Sequence, residues 1–250
     1  MAAGINLNIP VIGAILRRGG AFFLRRSFAG NRLYAAVFNA YLHEILTRGH
    51  SIEYFVEGGR SRTGRLLAPK AGMLAMTVRS FLRDGRKPIA FVPVYVGYEK
   101  VIEAGSYIGE LHGGKKKKES VFGLLKSLKV LRSHFGQVHV NFGEPIRLVD
   151  FLDDHREGWR NEELAPHDSP TWFKQTVNAL GEEVVTRINA AAVANPVNLI
   201  SLALLATPKH TMDLQQLRQQ LQLYINLLEQ APYSDTARLA ETDPDTIIEY

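Results

Sequence analysis

The sequence predicts an α/β domain with a mainly parallel sheet and flanking helices, followed by a C-terminal helical region. Strand-like and helix-like patterns alternate as far as about residue 143, which is typical of βαβ units. Beyond about residue 150 no convincing strand pattern follows and helical periods dominate. We therefore expect a sheet domain over residues 1–150, a linker over residues 151–170 and a helical accessory region over residues 171–250.

Each element of the first half has a local signature. Pro10 suits the first turn of a helix, so residues 10–18 predict a short helix that two glycines end. Apolar residues at three- and four-residue spacing predict longer helices over residues 31–48 and 69–84. The nearly continuous apolar run at 88–96 predicts a strand that is buried on both faces. Further strands are predicted at residues 21–24, 51–57 and 138–142, and an amphipathic helix is predicted after the lysines at 115–118.

The second half has a different character. Helical patterns occupy residues 171–193, 197–206 and 211–230. Residues 153–170 are acidic and interrupted by prolines, which favours a linker. The composition of residues 234–250 is typical of a loop or a frayed terminus.

Composition excludes several classes of protein. Apolar residues make up 46% and charged residues 22% of the 250 positions, which excludes disordered and fibrous chains. The chain has no cysteine, so disulfide scaffolds, thiolate zinc sites and a cysteine nucleophile are excluded. The longest apolar candidate, Val197–Ala206, is about half of the roughly 20 residues that a spanning helix needs. The N-terminus lacks the basic region of a signal peptide.

Charge is distributed unevenly along the chain. Residues 1–150 hold 23 Lys and Arg against 10 Asp and Glu, whereas residues 151–250 hold 7 against 15. The net charges of the two parts are therefore +13 and −8. This polarity predicts that the first part handles anions.

The most informative stretch is the loop that follows the predicted strand at 51–57. It reads Phe-Val-Glu-Gly-Gly-Arg-Ser-Arg-Thr-Gly-Arg from residue 55 to residue 65. Glycines allow backbone amides to approach an anion closely, and arginines bind phosphate oxygens in a bidentate manner. The spacing fits neither a Walker A loop nor a dinucleotide-binding fingerprint. A solvated basic turn is the alternative interpretation.

Two further stretches carry chemistry. Arg25 and Arg26 follow the apolar residues 21–24 and could converge with the first loop on one phosphate, although surface arginines offer an equal interpretation. Pro93 interrupts the apolar run at 88–96 and removes a ladder hydrogen bond, which usually marks an edge, a bulge or a ligand wall.

In order and wording, these stretches resemble the second, third and fourth motifs of the glycerophosphate acyltransferase superfamily. The double glycine and RSRTGR are similar to the membrane-bound glycerol-3-phosphate 1-O-acyltransferases of bacteria and to their dihydroxyacetone-phosphate relatives. Residues 140–145 (VNFGEP) also resemble the closing strand of the family. The resemblance covers roughly residues 2–230, and it implies a glycerol-3-phosphate acyltransferase-like α/β fold.

The resemblance also implies roles for particular residues. Arg25 would bind the glycerol phosphate, with Arg26 beside it. Glu57 and Gly58 would belong to the catalytic face, and Pro93 to acyl-donor binding. The arginines of the third motif would add to the phosphate site; they are Arg60, Arg62 and Arg65. The implied reaction moves an acyl group from acyl-CoA or acyl-carrier protein to the 1-hydroxyl of sn-glycerol 3-phosphate. It needs no metal or nucleotide cofactor.

The first motif of the family, His-x4-Asp, is absent. None of the eight histidines has an aspartate five positions on, and His139 with Glu144 is only a coincidental imitation. We therefore expect that the chain begins after its catalytic base and is a fragment that is inactive alone, because losing a general base costs about 10²–10⁴ in rate. A dihydroxyacetone-phosphate acyltransferase and a non-catalytic glycerol-phosphate-binding homologue are the alternatives.

The remaining predictions concern partners and location. The lysines at 115–118 favour contact with anionic lipid headgroups, and a solvated loop or a site for the acyl donor are alternatives. Nucleic acid is not expected as a partner, because no recognition motif or interleaved aromatics accompany the basic runs. With the family resemblance, these features predict a peripheral protein on the cytoplasmic face of the bacterial inner membrane.

Overall fold

The computed structural model describes residues 2–10, 12–25, 27–28, 30–59, 61, 64–84, 87–99, 136–161 and 168–250. The chain divides into two compact units, each built from several segments. Unit 1 comprises Met1–Ser61, Leu66–Phe91 and Pro145–Val185. Unit 2 comprises Arg62–Arg65, Val92–Glu144 and Thr186–Tyr250. The domain bounds given by the sequence, at residues 150 and 170, stay a prediction.

Helices and short strands alternate along the described residues. In chain order the elements are β1 (Ala2–Gly4), α1 (Ile12–Arg18), β2 (Phe22–Leu24), α2 (Arg32–Thr47), α3 (Ala71–Asp84), β3 (Ala90–Phe91), β4 (Val94–Tyr98), β5 (Val138–Phe142), β6 (Ile146–Arg147), α4 (Leu148–His155), α5 (Thr171–Ala190), β7 (Val193–Ala194), α6 (Pro196–Leu205), α7 (Leu214–Gln230), β8 (Arg238–Leu239) and α8 (Pro244–Glu249). The helices predicted at 10–18, 31–48, 69–84, 171–193, 197–206 and 211–230 are confirmed, with small shifts at their ends. The helix predicted after residues 115–118 lies outside the described residues.

Helices α2 and α3 pack together in unit 1. Asn31 caps α2, since its side-chain oxygen accepts a hydrogen bond from the Tyr34 amide at 2.9 Å. Phe38 and Leu42 are the buried residues of α2. A hydrogen bond of 2.8 Å between His43 Nδ1 and the Ser80 hydroxyl also joins the two helices. Two of the periodic apolar residues, Phe38 and Leu42, therefore face a core.

Helix α5 packs on the core of unit 1, although it is far from α2 and α3 in sequence. Gly181 lies so near Pro69 that a Cβ at this position would be 3.1 Å from the ring. Arg79 on α3 donates to the Asp168 carbonyl oxygen and stacks over the Phe173 ring at 4.7 Å. Residues far apart in sequence thus hold α3 against the start of α5.

The strands form two-stranded pairs in the described part of the chain. The pairs β1–β2 and β7–β8 are parallel, whereas β3–β6 and β4–β5 are antiparallel. The chain is therefore a mixed helix and strand protein with small sheets. One mainly parallel sheet is not confirmed by these residues.

The apolar run at 88–96 is not a single strand buried on both faces. It breaks at Pro93 into β3, which pairs with β6, and β4, which pairs with β5. Because proline has no N–H to donate, the ladder cannot continue through it. The side chains of Val94 and Val96 on β4 are 37% and 40% exposed, so one face of this strand is open.

The strand predicted at 51–57 is not formed. The Ala2 amide donates to the Glu53 carbonyl oxygen at 2.8 Å, and the Lys70 amide donates to the Val56 carbonyl oxygen at 2.7 Å. These are single bonds to two different segments, so no ladder results.

The C-terminal part of unit 2 corrects two predictions. Helices α6, α7 and α8 share a core of Leu199, Leu221, Ile225 and Ile247. Residues 234–250 are therefore not a frayed terminus, because α8 buries Ile247 and is capped by Asp243. The prediction that no strand follows residue 150 is also wrong, since the pair β7–β8 lies there. Strands of two residues are too short to show a period in the sequence.

Helix α4 and a single-turn 3₁₀ helix at Trp159–Asn161 occupy the start of the predicted linker. The Trp159 side chain is buried and packs against Phe81, with 5.7 Å between the ring centroids. Trp159 is therefore a packing residue. None of the helices in the described ranges combines the length and apolar character that crossing a bilayer requires.

Candidate functional site

The loop that begins at Glu57 is tied at its base. The Leu67 amide donates to Oε2 of the Glu57 carboxylate at 2.7 Å, and the Lys70 amide donates to the Val56 carbonyl oxygen at 2.7 Å. Both bonds join the residues before the arginine-rich stretch to the residues after it. Glu57 therefore holds this loop with one of its carboxylate oxygens, a role that the sequence motif alone does not show.

Gly58 makes the turn that starts the loop. Its amide donates to the Phe55 carbonyl oxygen at 3.0 Å, and its φ of +57° lies in the left-handed region. A Cβ at this position would lie 2.8 Å from Cγ of Lys70. Glycine is thus required here both by the backbone conformation and by the Lys70 stem.

Ser61 is a loop residue that the sequence reasoning passed over. Its hydroxyl is buried and has no hydrogen-bond partner among the residues that the structure describes. Buried polar groups normally have partners, so an unpaired hydroxyl in an arginine-rich loop is a candidate ligand contact. Nothing in the sequence sets this serine apart within the motif, and only the burial of its hydroxyl distinguishes it.

Arg25 is exposed, and the aromatic ring of Tyr34 positions it. The guanidinium carbon lies 4.8 Å from the Tyr34 ring centroid, and the Arg25 amide donates to the Tyr34 hydroxyl at 3.1 Å. The amide of Tyr34 is in turn bonded to the Asn31 side chain. The cap of α2 therefore fixes a ring on which Arg25 stacks, and Tyr34 is a second residue that the motif did not indicate.

The other predicted phosphate-binding arginines are distributed differently. Arg26, Arg60 and Arg62 lie outside the described residues. Arg65 is described, exposed and part of unit 2, whereas Arg25, Glu57 and Gly58 are part of unit 1. The convergence of the two arginine clusters on one phosphate stays a prediction.

Pro93 is fully buried in unit 2. Its carbonyl oxygen accepts a hydrogen bond from the Gly143 amide at 2.9 Å, at the end of β5. Gly143 is itself confined, because a Cβ there would lie 2.9 Å from the Arg187 carbonyl oxygen and 3.3 Å from Pro93 Cβ. The fourth-motif proline and the glycine of the closing strand therefore form one packed contact. The role of Pro93 towards an acyl donor is a prediction that this packing does not test.

His139 has a different partner from the one that sequence spacing offers. Its Nε2 lies 3.2 Å from Oε1 of Glu99, whose side chain is only 2% exposed. Glu144, five positions after His139, instead lies 3.8 Å from the Arg187 guanidinium. The imitation of a His-x4-Asp pair is thus coincidental, as predicted.

Hydrogen bonding to the charged form dominates at Glu99. Burial alone would raise the pKa of its carboxyl, but bonds from the Tyr250 hydroxyl, the Gln137 amide and His139 together bring the pKa below its ordinary value. Burial raises the pKa of the Tyr54 hydroxyl, which has no hydrogen-bond partner among the described residues. In the described ranges no three His, Cys, Asp or Glu side chains are placed to hold a metal ion.

Two family models match the chain. The model of the acyltransferase family matches residues 1–97, which include the three motif stretches around Arg25, Glu57 and Pro93. The model of the glycerol-3-phosphate acyltransferase C-terminal region matches residues 107–250, more than half of the chain.

The chain is also similar to proteins named glycerol-3-phosphate acyltransferase over all of its 250 residues. It is 59% identical to the protein of Pseudomonas paraeruginosa, 58% to that of Pseudomonas entomophila and 57% to that of Pseudomonas putida. In each case the match covers 100% of this chain but 30% of the relative. The chain thus spans less than a third of the length of these curated relatives. On this evidence, the chain belongs to the glycerol-3-phosphate acyltransferase family.

Proposed function

We propose that this chain is part of an acyltransferase that moves a fatty acyl group from acyl-CoA or acyl-carrier protein to the 1-hydroxyl of sn-glycerol 3-phosphate, the first step of phospholipid synthesis. The observation that carries the proposal is 56–59% identity along the entire chain to proteins of that name. The loop tied by Glu57 and the arginine stacked on Tyr34 support it, because both fit a phosphate-bearing acceptor.

In this reaction the acceptor oxygen attacks the thioester carbonyl, a C–O bond forms and the C–S bond breaks. The hydroxyl proton passes to a base, and the leaving thiolate takes up a proton. We assign substrate binding to this chain: Arg25 and the third-motif arginines hold the phosphate, Glu57 and Gly58 shape the loop, and Pro93 contributes on the donor side. The chain has no His-x4-Asp, so this pair is not supplied by residues 1–250.

Partners and architecture follow as parts of the same proposal. We place the protein peripherally on the cytoplasmic face of the bacterial inner membrane, against anionic lipids. The lysines at 115–118, which suggested this contact, lie outside the described residues. We retain one mainly parallel sheet for the complete domain, which the parallel pair β1–β2 supports. Nucleic acid is not proposed as a partner, and a salt-dependent mobility shift would contradict this.

Calorimetric titration of the purified chain with glycerol 3-phosphate tests the substrate assignment. Charge-assisted hydrogen bonds contribute about 1.5–3 kcal/mol, so Arg25→Ala should weaken binding by roughly 10- to 100-fold. Arg48→Ala is the matched control, because Arg48 is an exposed arginine that pairs with Glu44 at 2.6 Å. It should bind like the parent chain.

The titration separates the two acyltransferase candidates by the acceptor that binds more tightly. Tighter binding of dihydroxyacetone phosphate than of glycerol 3-phosphate would select the dihydroxyacetone-phosphate acyltransferase. Binding of neither acceptor, or equal losses in the Arg25 and Arg48 variants, would contradict the assignment of Arg25.

A further inference from the structure

Helix α2 has an apolar outer face. Of residues 33–42, only Asn39 is neither apolar nor aromatic, and its side chain bonds back to the Ala35 carbonyl oxygen at 2.9 Å. Phe38 and Leu42 are buried against the core. A surface helix usually turns a polar face outward, and a helix that is apolar all round is usually covered.

The exposed side chains of this face form a stripe at four-residue spacing. Leu33, Val37 and Tyr41 are 76%, 59% and 47% exposed. Ala36 and Ala40 lie beside them and are exposed as well. The stripe runs along the first three turns of α2 and stops before Glu44, which is paired with Arg48. A continuous patch of this kind marks an interaction surface rather than scattered surface residues.

The charge of the surrounding segment selects the partner. Residues 1–43 contain five arginines and no aspartate or glutamate. The four of these arginines that are described are all exposed: Arg17, Arg18, Arg25 and Arg32. An apolar stripe in a segment that carries only positive charge complements an anionic lipid surface. Two copies of the chain meeting through this face would instead bring like charges together.

We propose that the stripe of Leu33, Val37 and Tyr41 docks α2 on a bilayer that contains anionic lipid, with α2 lying in the plane of the headgroups. The proposal rests on the proposed function in two respects: the protein is placed there against anionic lipids, and a singly acylated product is a lipid that enters a bilayer. Docking through α2 keeps Tyr34, and the arginine stacked on it, close to that surface, since Tyr34 lies in the first turn of the same helix.

Co-flotation with vesicles of phosphatidylcholine, with and without phosphatidylglycerol, tests the proposal on the full 250-residue chain. The variant Leu33→Ser/Val37→Ser/Tyr41→Ser should bind vesicles at least about tenfold more weakly than the parent chain. It lacks the three apolar side chains whose transfer from water into the bilayer would stabilise the bound state. The matched control is Leu214→Ser/Leu223→Ser/Leu227→Ser on α7, where the side chains are 60%, 50% and 54% exposed. The control should bind like the parent chain.

A second variant tests the electrostatic part without changing the stripe. Arg18→Gln/Arg32→Gln should weaken binding to phosphatidylglycerol vesicles about tenfold or more and leave binding to pure phosphatidylcholine unchanged. The melting temperature of this arginine variant should equal that of the parent, because both altered side chains are exposed. The stripe variant loses the contact of Tyr41 with the Phe22 ring, so its vesicle binding is measured well below its own melting temperature.

Three results would overturn the proposal. One is absence of vesicle binding by the parent chain, and another is equal binding by the stripe variant. The third is sedimentation of the parent as a dimer that the stripe variant converts to a monomer, which would assign the face to a second copy. Vesicle binding needs neither substrate nor turnover, so failure here leaves the calorimetric test of the proposed function unaffected.

Discussion

Glu57 and Gly58 each make a different structural contribution to the loop that follows them. The carboxylate of Glu57 accepts the Leu67 amide, and Gly58 adopts a φ of +57° that other residues reach only with strain. Both residues therefore shape the loop that carries the arginines. Any contact they make with substrate comes in addition to this structural role.

Substitution of Gly58 should be costly, whereas substitution of its neighbour should not. We expect Gly58→Ala to lower the free energy of unfolding by about 1–2 kcal/mol, since the left-handed conformation strains an L side chain. The Lys70 stem would also have to move from a Cβ only 2.8 Å away. Denaturant titration measures the change.

Gly59→Ala is the control for this prediction. Gly59 has no positive φ, and the nearest side-chain atom, Cδ1 of Leu67, would lie 3.6 Å from its Cβ. Its effect should stay within about 0.5 kcal/mol. Equal losses in the two variants would show that neither the conformation nor the Lys70 contact distinguishes the first glycine.

At the scale of elements, Glu99 links the ends of the antiparallel strands β4 and β5 where Tyr98 pairs with Val138. Glu99 accepts bonds from the Gln137 amide and the Tyr250 hydroxyl, and Gly136 leaves the space that its carboxylate occupies. A Cβ on Gly136 would collide with the carboxylate of Glu99. The Glu99 carboxylate thus connects the ends of β4 and β5 to each other and to Tyr250.

The contribution of Glu99 to stability should depend on pH. Because the pKa of Glu99 is lower in the folded chain than in the unfolded chain, its contribution is complete above the ordinary glutamate pKa of about 4.3. It should be lost as the pH falls through the lower folded pKa. We expect Glu99→Gln to destabilise the chain at neutral pH and to approach the stability of the parent in acid.

Thermal unfolding at a series of pH values measures this difference. Glu44→Gln is the control, since Glu44 pairs with Arg48 at an exposed position of α2. A gap between parent and Glu99→Gln that stays constant from neutral to acid pH would contradict a charged Glu99 in the folded state.

At the scale of the whole molecule, residues 1–250 should bind glycerol 3-phosphate but transfer an acyl group to it only slowly. Because residues 1–250 contain no His-x4-Asp pair, we expect acyl transfer at least about 100-fold slower than that of a longer relative such as the Pseudomonas paraeruginosa protein. Release of the CoA thiol from palmitoyl-CoA provides the readout, and the absence of cysteine from the chain removes protein thiols from the background. Turnover equal to that of the relative would show that the His-x4-Asp pair is dispensable.

The sequence determined those features that depend on local chemistry. The three- and four-residue periods predicted α2, α3 and α7, because a helix is stabilised by burying residues that such spacing places on one side. Proline chemistry predicted that Pro93 would interrupt a ladder. The motif stretches around Arg25 and Glu57 predicted the family, because each motif is a short contiguous run of residues that can be recognised without knowing the fold.

Tertiary structure decided whatever depends on contacts between distant segments. The pairing of His139 with Glu99, 40 residues away, cannot be deduced from spacing. The same holds for the antiparallel partner of β4, for the two-residue strands β7 and β8, and for the burial of the Ser61 hydroxyl. Strand pairing and burial are set by packing between distant parts of the chain, so a local pattern leaves them open. The same reason explains why the apolar period of α2 predicts the helix but not that Leu33, Val37 and Tyr41 are exposed while Phe38 and Leu42 are buried.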